Sequence, residues 1–317
     1  MNRIGLQRGL SLIELMVAIV LASLLLLGVL QVFDGNQRTH RLQQGFSQIQ
    51  ESGRIATDML MKELRNVAFT GCVLEPQRLS NSAAAIFDSN FVSGVDQVDG
   101  SQPQIDNKSV EPGTDILTVR GAVDACGGTG RIVANVDAST VQIAGSCPLE
   151  VDDVAMVANC DYGDISTVAA ASATQVRLSD SLQADYGPEA RLYRPYVRRY
   201  FISRDADNEL GLYMQEDGDD AMELVPGIED LQVQYGRDSG GVDGIVDIWD
   251  GPPANDNESS AVAAIRVQLV AASTERNGAD RFSYTRLGED SEHDATDDGR
   301  LRKQYVSMTK VRNRGTR

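Results

Sequence analysis

The amino-terminal part of the chain is one almost unbroken apolar stretch. It runs from Leu10 to Phe33 and reads LSLIELMVAIVLASLLLLGVLQVF. As an α-helix with a rise of 1.5 Å per residue it would be about 36 Å long, which is enough to cross a bilayer core of about 30 Å. The pattern therefore predicts a membrane-spanning helix at 10–33.

A single charged residue, Glu14, interrupts the apolar stretch. A carboxylate inside a membrane helix costs about 2.5–3.5 kcal/mol on insertion scales, and such residues usually mark a functional position. The alternative is that Glu14 lies at the membrane surface and reaches the polar headgroups.

A polar segment, Asp34-Gly35-Asn36, follows the apolar stretch and contains a helix-weakening glycine. Beyond it, apolar residues recur at spacings of three, four and seven, while the opposite face is charged, so the pattern predicts an amphipathic helix. We expect one long, interrupted helix from about residue 10 to 68, whose second half packs on the rest of the chain. An independent coiled-coil stalk is the alternative. The apolar positions are Leu42, Phe46, Ile49, Ala56, Leu60, Leu64 and Val67.

After Cys72 the pattern changes to short alternating runs separated by Gly, Asp, Asn and Pro. Such runs are typical of β-strands joined by turns. The sequence therefore predicts an α+β fold, in which a long amino-terminal helix packs on a β-rich body of antiparallel strands. The predicted strands are Ile116–Arg120, Ile132–Val136, Thr140–Ile143, Val154–Ala158, Ile165–Ala169, Gln175–Leu178, Leu192–Ser203, Leu210–Gln215, Ile228–Tyr235, Ala263–Val270 and Arg302–Lys310.

The four cysteines, Cys72, Cys126, Cys147 and Cys160, all follow the apolar stretch. An even number beyond a membrane segment indicates disulfides in an oxidising compartment, although three pairings are possible. The short loop favours Cys147–Cys160, which leaves Cys72–Cys126, and a loop of that size would contribute roughly 3 kcal/mol. Free buried cysteines are the alternative. A zinc site fits poorly, because no two cysteines have CxxC spacing and the chain has two histidines.

Charge excludes one class of partner. The net charge is −17 over 317 residues, and the field of so acidic a surface repels phosphate, so we expect no direct binding of nucleic acid. The first nine residues carry Arg3 and Arg8 and no acid. This asymmetry favours a membrane-inserted amino terminus whose basic end stays in the cytoplasm.

The junction before the apolar stretch resembles a known signal. Residues 8–15, Arg-Gly-Leu-Ser-Leu-Ile-Glu-Leu, are similar to the class III signal of type IV prepilins and type II secretion pseudopilins. The resemblance implies cleavage between Gly9 and Leu10 by a prepilin peptidase and methylation of the new amino terminus on Leu10, where the family more often has Phe. It also implies that Glu14 meets the terminal amine of a neighbouring subunit. Buried ion pairs of this kind are better at fixing register than at adding stability.

Further segments resemble one branch of that family, the PilW-type minor pilins of type IV pili. They lie at 65–72 (RNVAFTGC), 113–120 (GTDILTVR), 153–165, 224–236 (LVPGIEDLQVQYG) and 301–314. The resemblance implies a leader at 1–9, a transmembrane and fibre-core helix at 10–33, an amphipathic continuation at 34–70 and a β-rich body at 71–317. It also implies a place in the bacterial inner membrane with the body in the periplasm, then in the fibre at the cell surface. The implied partners are other pilins, the peptidase and the assembly platform.

Two acidic clusters are candidate calcium loops. Asp205, Asp207 and Glu209 have oxygen donors at alternate positions, and Asp238 and Asp243 flank glycines. The first cluster also reads as a hairpin turn, which is the simpler interpretation. The stretch 289–298 is predicted to be a mobile acidic loop. No other cofactor is expected.

The sequence contains no recognisable catalytic motif. His40 and His293 have no Ser or Cys nucleophile in a known arrangement, and Cys126-Gly127-Gly128-Thr129-Gly130 lacks the lysine of a phosphate-binding loop. We therefore expect a structural protein, a minor pilin that begins or caps a type IV pilus. The alternatives are a J-type minor pseudopilin of type II secretion, a membrane-tethered calcium-dependent adhesin and a tethered periplasmic hydrolase.

Overall fold

A computed structural model describes residues 12–73, 79–80, 84–87, 91–99, 104–240 and 243–313. The first element is α1 (Leu12–Asn66), a single helix of 55 residues, about 82 Å long. The predicted interruption at 34–36 is wrong, because the helix passes through Gly35 without a break. A helical glycine costs only about 1 kcal/mol relative to alanine, and Asp34 pairs with Arg38 one turn later at 3.0 Å.

A β-rich body follows the helix, as predicted. The strands are β1 (Leu79–Ser80), β2 (Val92–Val95), β3 (Ile116–Asp124), β4 (Ile132–Asn135), β5 (Thr140–Ile143), β6 (Val154–Ala158), β7 (Gly163–Ala171), β8 (Gln175–Leu178), β9 (Arg191–Arg204), β10 (Leu210–Glu216), β11 (Met222–Pro226), β12 (Ile228–Arg237), β13 (Ile248–Asp250), β14 (Val262–Arg276), β15 (Ser283–Thr285), β16 (Glu292–Asp294) and β17 (Arg300–Lys310). A short helix, α2 (Asp256–Ser260), and a 3-10 turn, Ala84–Phe87, complete the described elements. Each predicted strand coincides with an observed one; the strands that the sequence pattern did not reveal are short ones of two to five residues.

The sheet that carries α1 has the order β13-β12-β14-β17 and is antiparallel throughout. Alternate residues of β12 and β14 point toward the helix and are buried, and residues of the opposite face, such as Gln232, Gln268 and Val270, are buried as well. The residues that point toward the helix form the main core with the buried face of α1. They include Leu231, Val233, Tyr235, Ile265, Val267, Leu269 and Ala271.

The largest sheet is built around β9, which pairs with β10 on its carboxyl-terminal half and with β3 and β6 toward its start. Strands β3 and β9 form one long antiparallel pair whose ends meet at Asp124 and Tyr193. The intervening segment, 125–190, is therefore an insertion at the tip of a two-stranded ribbon.

The inserted segment closes into a small barrel with its own core. Its strands pair in the order β4-β5-β8-β7-β6, and β6 pairs with the start of β9. An isolated bridge pairs Arg131, just before β4, with Arg191 of β9, and the Ile132 amide donates to Ala190 O at 3.0 Å. The barrel therefore closes between β4 and the start of β9. Buried side chains from every one of these strands fill the interior, among them Ile132, Val141, Ile143, Val157, Val168, Val176, Leu178 and Leu192.

The disulfides are Cys72–Cys160 and Cys126–Cys147, so the predicted pairing of Cys147 with Cys160 and of Cys72 with Cys126 is wrong. Cys147 precedes β6 and Cys160 follows it, so the strand carries the two cysteines to opposite ends of the barrel wall. Cys126 and Cys147 meet within the inserted barrel. Cys160, in the turn between β6 and β7, instead meets Cys72 just after α1.

The prediction of a mobile acidic loop at 289–298 is wrong for its middle. Residues 292–294 form β16, which pairs with β15 and places His293 opposite Tyr284. Asp298 accepts two hydrogen bonds from the Arg302 guanidinium, at 2.8 and 2.9 Å. Cross-strand pairing and the buried Arg302 therefore hold residues 292–294 and Asp298, within a stretch that looks like a solvated loop by composition alone.

Candidate assembly surface

The first thirty residues of α1 are exposed. Every residue from Leu12 to Arg41 is exposed, including the whole apolar segment up to Phe33. Within it, an 18-residue window has a mean hydropathy of 2.7, and α1 is long and apolar enough to cross a membrane by length and composition. Soluble proteins rarely leave so large an apolar surface uncovered, so this half of the helix is built to be covered by lipid or by other subunits.

Glu14 is the one charged residue between Leu12 and Phe33, and it lies exposed in the first turn of the helix. A carboxylate in the first turn interacts favourably with the positive end of the helix dipole. Gly9 and Leu10, the predicted cleavage junction, lie outside the described residues. Cleavage, methylation and the role of Glu14 stay predictions.

The second half of α1 lies on β14 and β17 through small residues. A Cβ on Gly53 would come within 2.1 Å of Cε2 of Tyr305, and a Cβ on Gly45 within 2.9 Å of Cδ1 of Leu301. The two glycines therefore let β17 side chains approach the helix backbone. Residues further along the same face are buried in the main core: Ile49, Ala56, Leu60 and Leu64.

Polar contacts fix the position of the helix on the sheet. The Tyr305 hydroxyl donates to Ile49 O at 2.8 Å. The Gln48 side chain accepts from the Thr274 amide at 3.2 Å and donates to the Thr274 hydroxyl. Such directional bonds define one register between helix and strands, which packing of apolar side chains alone does not.

An ion-pair network joins the helix to the large sheet. The Arg198 guanidinium contacts both carboxylate oxygens of Glu63, at 3.0 and 3.1 Å, and Glu216 at 2.8 Å. Arg198 also stacks 4.0 Å above the ring of Tyr196. Burial, together with the Glu63 charge, raises the pKa of the Tyr196 and Tyr200 hydroxyls, so both remain protonated. The side chains of Arg198 and Glu63 are each more than four-fifths buried, so salt screens their attraction much less than it screens a surface ion pair.

The carboxyl-terminal end of α1 is capped by the end of the chain. Asn313 donates from Nδ2 to Val67 O at 3.1 Å, and the Ala68 amide donates to Arg120 O at 3.0 Å. Ala68 adopts a φ of 61°, which ends the helix sharply. The Cys72–Cys160 disulfide follows within a few residues. The helix therefore leaves the body as a rigid arm fastened at its far end.

The candidate calcium residues do not converge. Asp205 Oδ1 accepts from the backbone amides of Asp207 and Glu209, at 2.9 and 2.8 Å, which is the geometry of an Asx turn between β9 and β10. Glu209 points away, because both of its oxygens contact the Arg300 guanidinium at 2.5 and 2.7 Å. That pairing lowers the pKa of Glu209.

In the second cluster, Asp238 accepts from the Gly244 amide at 2.9 Å, and Asp243 accepts from the Ile245 amide at 2.9 Å. Within the described ranges no group of three or more His, Cys, Asp or Glu side chains could hold a metal ion. Calcium binding is untested and stays a prediction.

Sequence reasoning missed the residues that seat the helix. Gly53 and Tyr305 are 252 positions apart, and neither has a local pattern that indicates its partner. For Glu63 and Arg198 a weak signal existed, since both lie in segments predicted as regular elements. An acid on the polar face of an amphipathic helix is common, so its presence does not indicate which basic residue it pairs with.

Two family models agree with the sequence resemblance. Residues 199–313 match the family model described as Type IV Pilus-assembly protein W, PilW, and residues 5–30 match the prokaryotic N-terminal methylation motif. No curated protein matches the chain in sequence. A type IV-like pilin from Thermus thermophilus, TTHA1219, is similar in structure with a TM-score of 0.35 and 14% identity, over 83% of this chain and 95% of that one. The PilW match begins inside β9, after the inserted barrel.

Proposed function

We propose that the chain is a type IV pilin-like protein of the PilW type, on the matches at 5–30 and 199–313, and that it acts as a minor pilin in type IV pilus assembly, in the complex that begins or caps the fibre. The observation that carries this proposal is the division of one continuous helix into an exposed apolar half and a half fastened to the body. A simple membrane anchor has no need of a rigid helix that continues through the body. A fibre subunit does, because the helix must transmit its position in the fibre core to the surface domain.

The steps of this function follow from the residues at the amino terminus. The chain enters the inner membrane with Arg3 and Arg8 in the cytoplasm, a prepilin peptidase cuts between Gly9 and Leu10, and the new amine on Leu10 is methylated. Glu14 then neutralises the terminal amine of a neighbouring subunit. An isolated carboxylate in lipid is costly, so this pairing favours the assembled state and sets the stagger between subunits.

The location and partners belong to the same proposal. The body, with both disulfides, lies in the periplasm before assembly and at the surface of the fibre afterwards. The partners are other minor and major pilins, the peptidase and the inner-membrane assembly platform. The role is not enzymatic.

Two alternatives are less well supported. A J-type minor pseudopilin of type II secretion would share the leader and the long helix, but the match at 199–313 is to the pilus-assembly family. A calcium-dependent adhesin would need ligands that converge, whereas Glu209 is directed to Arg300.

The test is the intact mass and amino-terminal sequence of the membrane-extracted protein, with and without active prepilin peptidase. We expect a mature chain that begins at methylated Leu10. Glu14→Ala should be processed normally but be lost from sheared fibres. The matched control is Glu51→Ala, an exposed acid on the docked half of the same helix, which should enter fibres like the unchanged protein.

A chain that keeps Met1, or that is cut after Phe33, would mean that the helix is only an anchor or an export signal. Recovery of the protein with a secretion pseudopilus and not with pili would favour the J-type alternative.

A further inference from the structure

Among the residues that the structure describes, strand β17 has a strand partner on one side only. It lies at the end of the order β13-β12-β14-β17, and its ladder is with β14 from Arg300 to Lys310. An edge strand of eleven residues is about twice the usual strand length, and long exposed edges readily accept a further strand.

The register identifies which backbone groups face the free edge. The Val311 amide donates to Ala263 O at 3.0 Å, so that pair is hydrogen-bonded, and pairing alternates along an antiparallel ladder. The backbone N–H and C=O groups that therefore face β14 are those of Lys303, Tyr305, Ser307 and Thr309. Those of Arg302, Gln304, Val306, Met308 and Lys310 face outward, and for Gln304, Val306 and Met308 no described residue provides a backbone partner.

The centre of this edge is apolar. The exposed fractions of Val306 and Met308 are 53% and 57%, and both side chains lie on the sheet face opposite α1. Protected edge strands usually carry charge or proline at such positions. Two neighbouring exposed apolar residues at the middle of a free edge indicate a surface that is covered in use.

The ends of the edge are basic. Residues 300–317 contain seven Lys or Arg and no Asp or Glu, in a chain whose net charge is −17. Arg300 and Arg302 are paired with acids of the same chain. Lys303, Lys310 and Arg312 have no carboxylate partner among the residues that the structure describes. The free edge therefore favours an occupant that carries negative charge.

The edge is also aligned with the assembly helix. Gly45 lies against Leu301, Gly53 lies against Tyr305, and Asn313 caps the helix end, so β17 follows α1 in the same direction. A strand added beside β17 would run along α1. Subunits that associate through their apolar helices would therefore bring their bodies past this edge.

We propose that β17 is a strand-addition site, and that its free edge takes an extended segment of a neighbouring fibre subunit with alternating apolar and acidic residues. Backbone hydrogen bonds to Gln304, Val306 and Met308 provide the pairing, and the cations at either end select the acidic occupant. The identity of the occupant as a fibre subunit rests on the proposed function. The recognition chemistry does not.

The experiment measures peptide binding to the full-length chain in detergent micelles. The probes are two synthetic nine-residue peptides with Val at the same alternate positions, one with Glu and one with Lys at the others. A third probe is the Glu peptide with its pairing amides N-methylated. We expect the Glu peptide to bind and the other two to bind at least tenfold more weakly.

A pair of variants at one position separates the backbone from the side chain. Met308→Pro removes an outward-facing N–H and leaves the β14 ladder intact, since edge strands tolerate proline there. Met308→Ala keeps the N–H. We expect Met308→Pro to weaken binding of the Glu peptide at least tenfold and Met308→Ala to weaken it only a fewfold, with unchanged circular dichroism and thermal midpoint for both. Lys303→Glu with Lys310→Glu should weaken it as well, without altering the fold.

The proposal is overturned if the Glu peptide does not bind, if the N-methylated peptide binds equally well, or if Met308→Pro has no effect in a folded chain. Equal binding of the Lys peptide would overturn the charge selection. Because the assay needs no fibre, its failure leaves the processing and fibre-incorporation results unaffected. Peptide binding without fibre incorporation would instead contradict the proposed function.

Discussion

The ring of Tyr305 fills the space that a side chain at residue 53 would occupy, with Cε2 only 2.1 Å from the position of a Cβ on Gly53. The tyrosine cannot simply turn away, because its hydroxyl is bonded to Ile49 O one helical turn earlier. This contact between α1 and β17 fixes the position of the helix on the body, and with it the exposed half of α1.

Replacing Gly53 should therefore loosen the arm. Gly53→Ala is expected to destabilise the body by about 1–3 kcal/mol through overpacking, even though alanine is the better helix former. The measurement is urea unfolding of the full chain in detergent. Gly35→Ala is the control, because a Cβ at residue 35 meets nothing within 4 Å; it should be neutral or slightly stabilising. Equal behaviour of the two variants would contradict the close approach.

The ion-pair network predicts a second difference. Glu63→Ala leaves Arg198 with Glu216 as its carboxylate partner among the described residues, and we expect a loss of about 1–3 kcal/mol. Asp58→Ala breaks the exposed 3.9 Å pair with Arg54 and should change stability by less than about 0.5 kcal/mol. Unfolding curves for both variants in low and high salt provide the check, and only the Glu63 effect should persist in salt. Similar losses for the two variants would mean that the network contributes no more than a surface pair.

The disulfides can be mapped directly. Non-reducing proteolysis and mass spectrometry should recover peptides that join Cys72 to Cys160 and Cys126 to Cys147. Replacing both members of the first pair with serine should cost more than replacing the second pair, because the closed segments span 88 and 21 residues. The chain-entropy model gives about 4.6 and 3.3 kcal/mol. A peptide that joins Cys147 to Cys160 would contradict the structure.

Asp115 predicts a pH dependence. It is 3% exposed, and its two oxygens accept from the backbone amides of Gln97 and Val233, at 2.9 and 2.7 Å. Burial outweighs these bonds and raises its pKa from 3.8 to about 7. The folded state therefore holds this proton more tightly than the unfolded state, and the contribution to stability is fully present below pH 4 and is lost as pH rises through 7.

The stability advantage of the unchanged protein over Asp115→Asn should accordingly shrink by up to about 4 kcal/mol between pH 4 and pH 8. The difference between the two unfolding free energies isolates this group from the other carboxylates. A constant difference over that range would mean that the folded-state pKa is not raised.

Much of the secondary structure could be predicted from the sequence, since it depends on local patterns. The apolar run with Glu14 predicts the membrane-length helix, the three-to-four spacing predicts its docked half, and alternation predicts the strands from β3 to β17 that are long enough to show it. Two-residue and three-residue strands such as β1 and β13 carry too few positions for alternation to appear.

What depended on distance along the chain could not be predicted. The pairing of Cys72 with Cys160 follows from a strand that separates Cys147 from Cys160. The Arg302 guanidinium that contacts Asp298 is itself held by Glu229, 73 positions earlier in the chain. Gly35 looked like a break, yet one glycine is too weak to end a helix whose neighbouring turns all propagate.

The sequence by itself determined that the chain has an apolar helix with one acid, Glu14, within it, a β-rich body, and cysteines suited to an oxidising compartment. Residue type and spacing are enough for this because they fix local conformation and solvent preference. Only the tertiary structure decided that 125–190 is an inserted barrel, that Tyr305 packs against Gly53, and that β17 has no second strand partner among the described residues. These are contacts between residues tens to hundreds of positions apart, and the free energy that selects them arises from packing and pairing across the whole body, which no local pattern encodes.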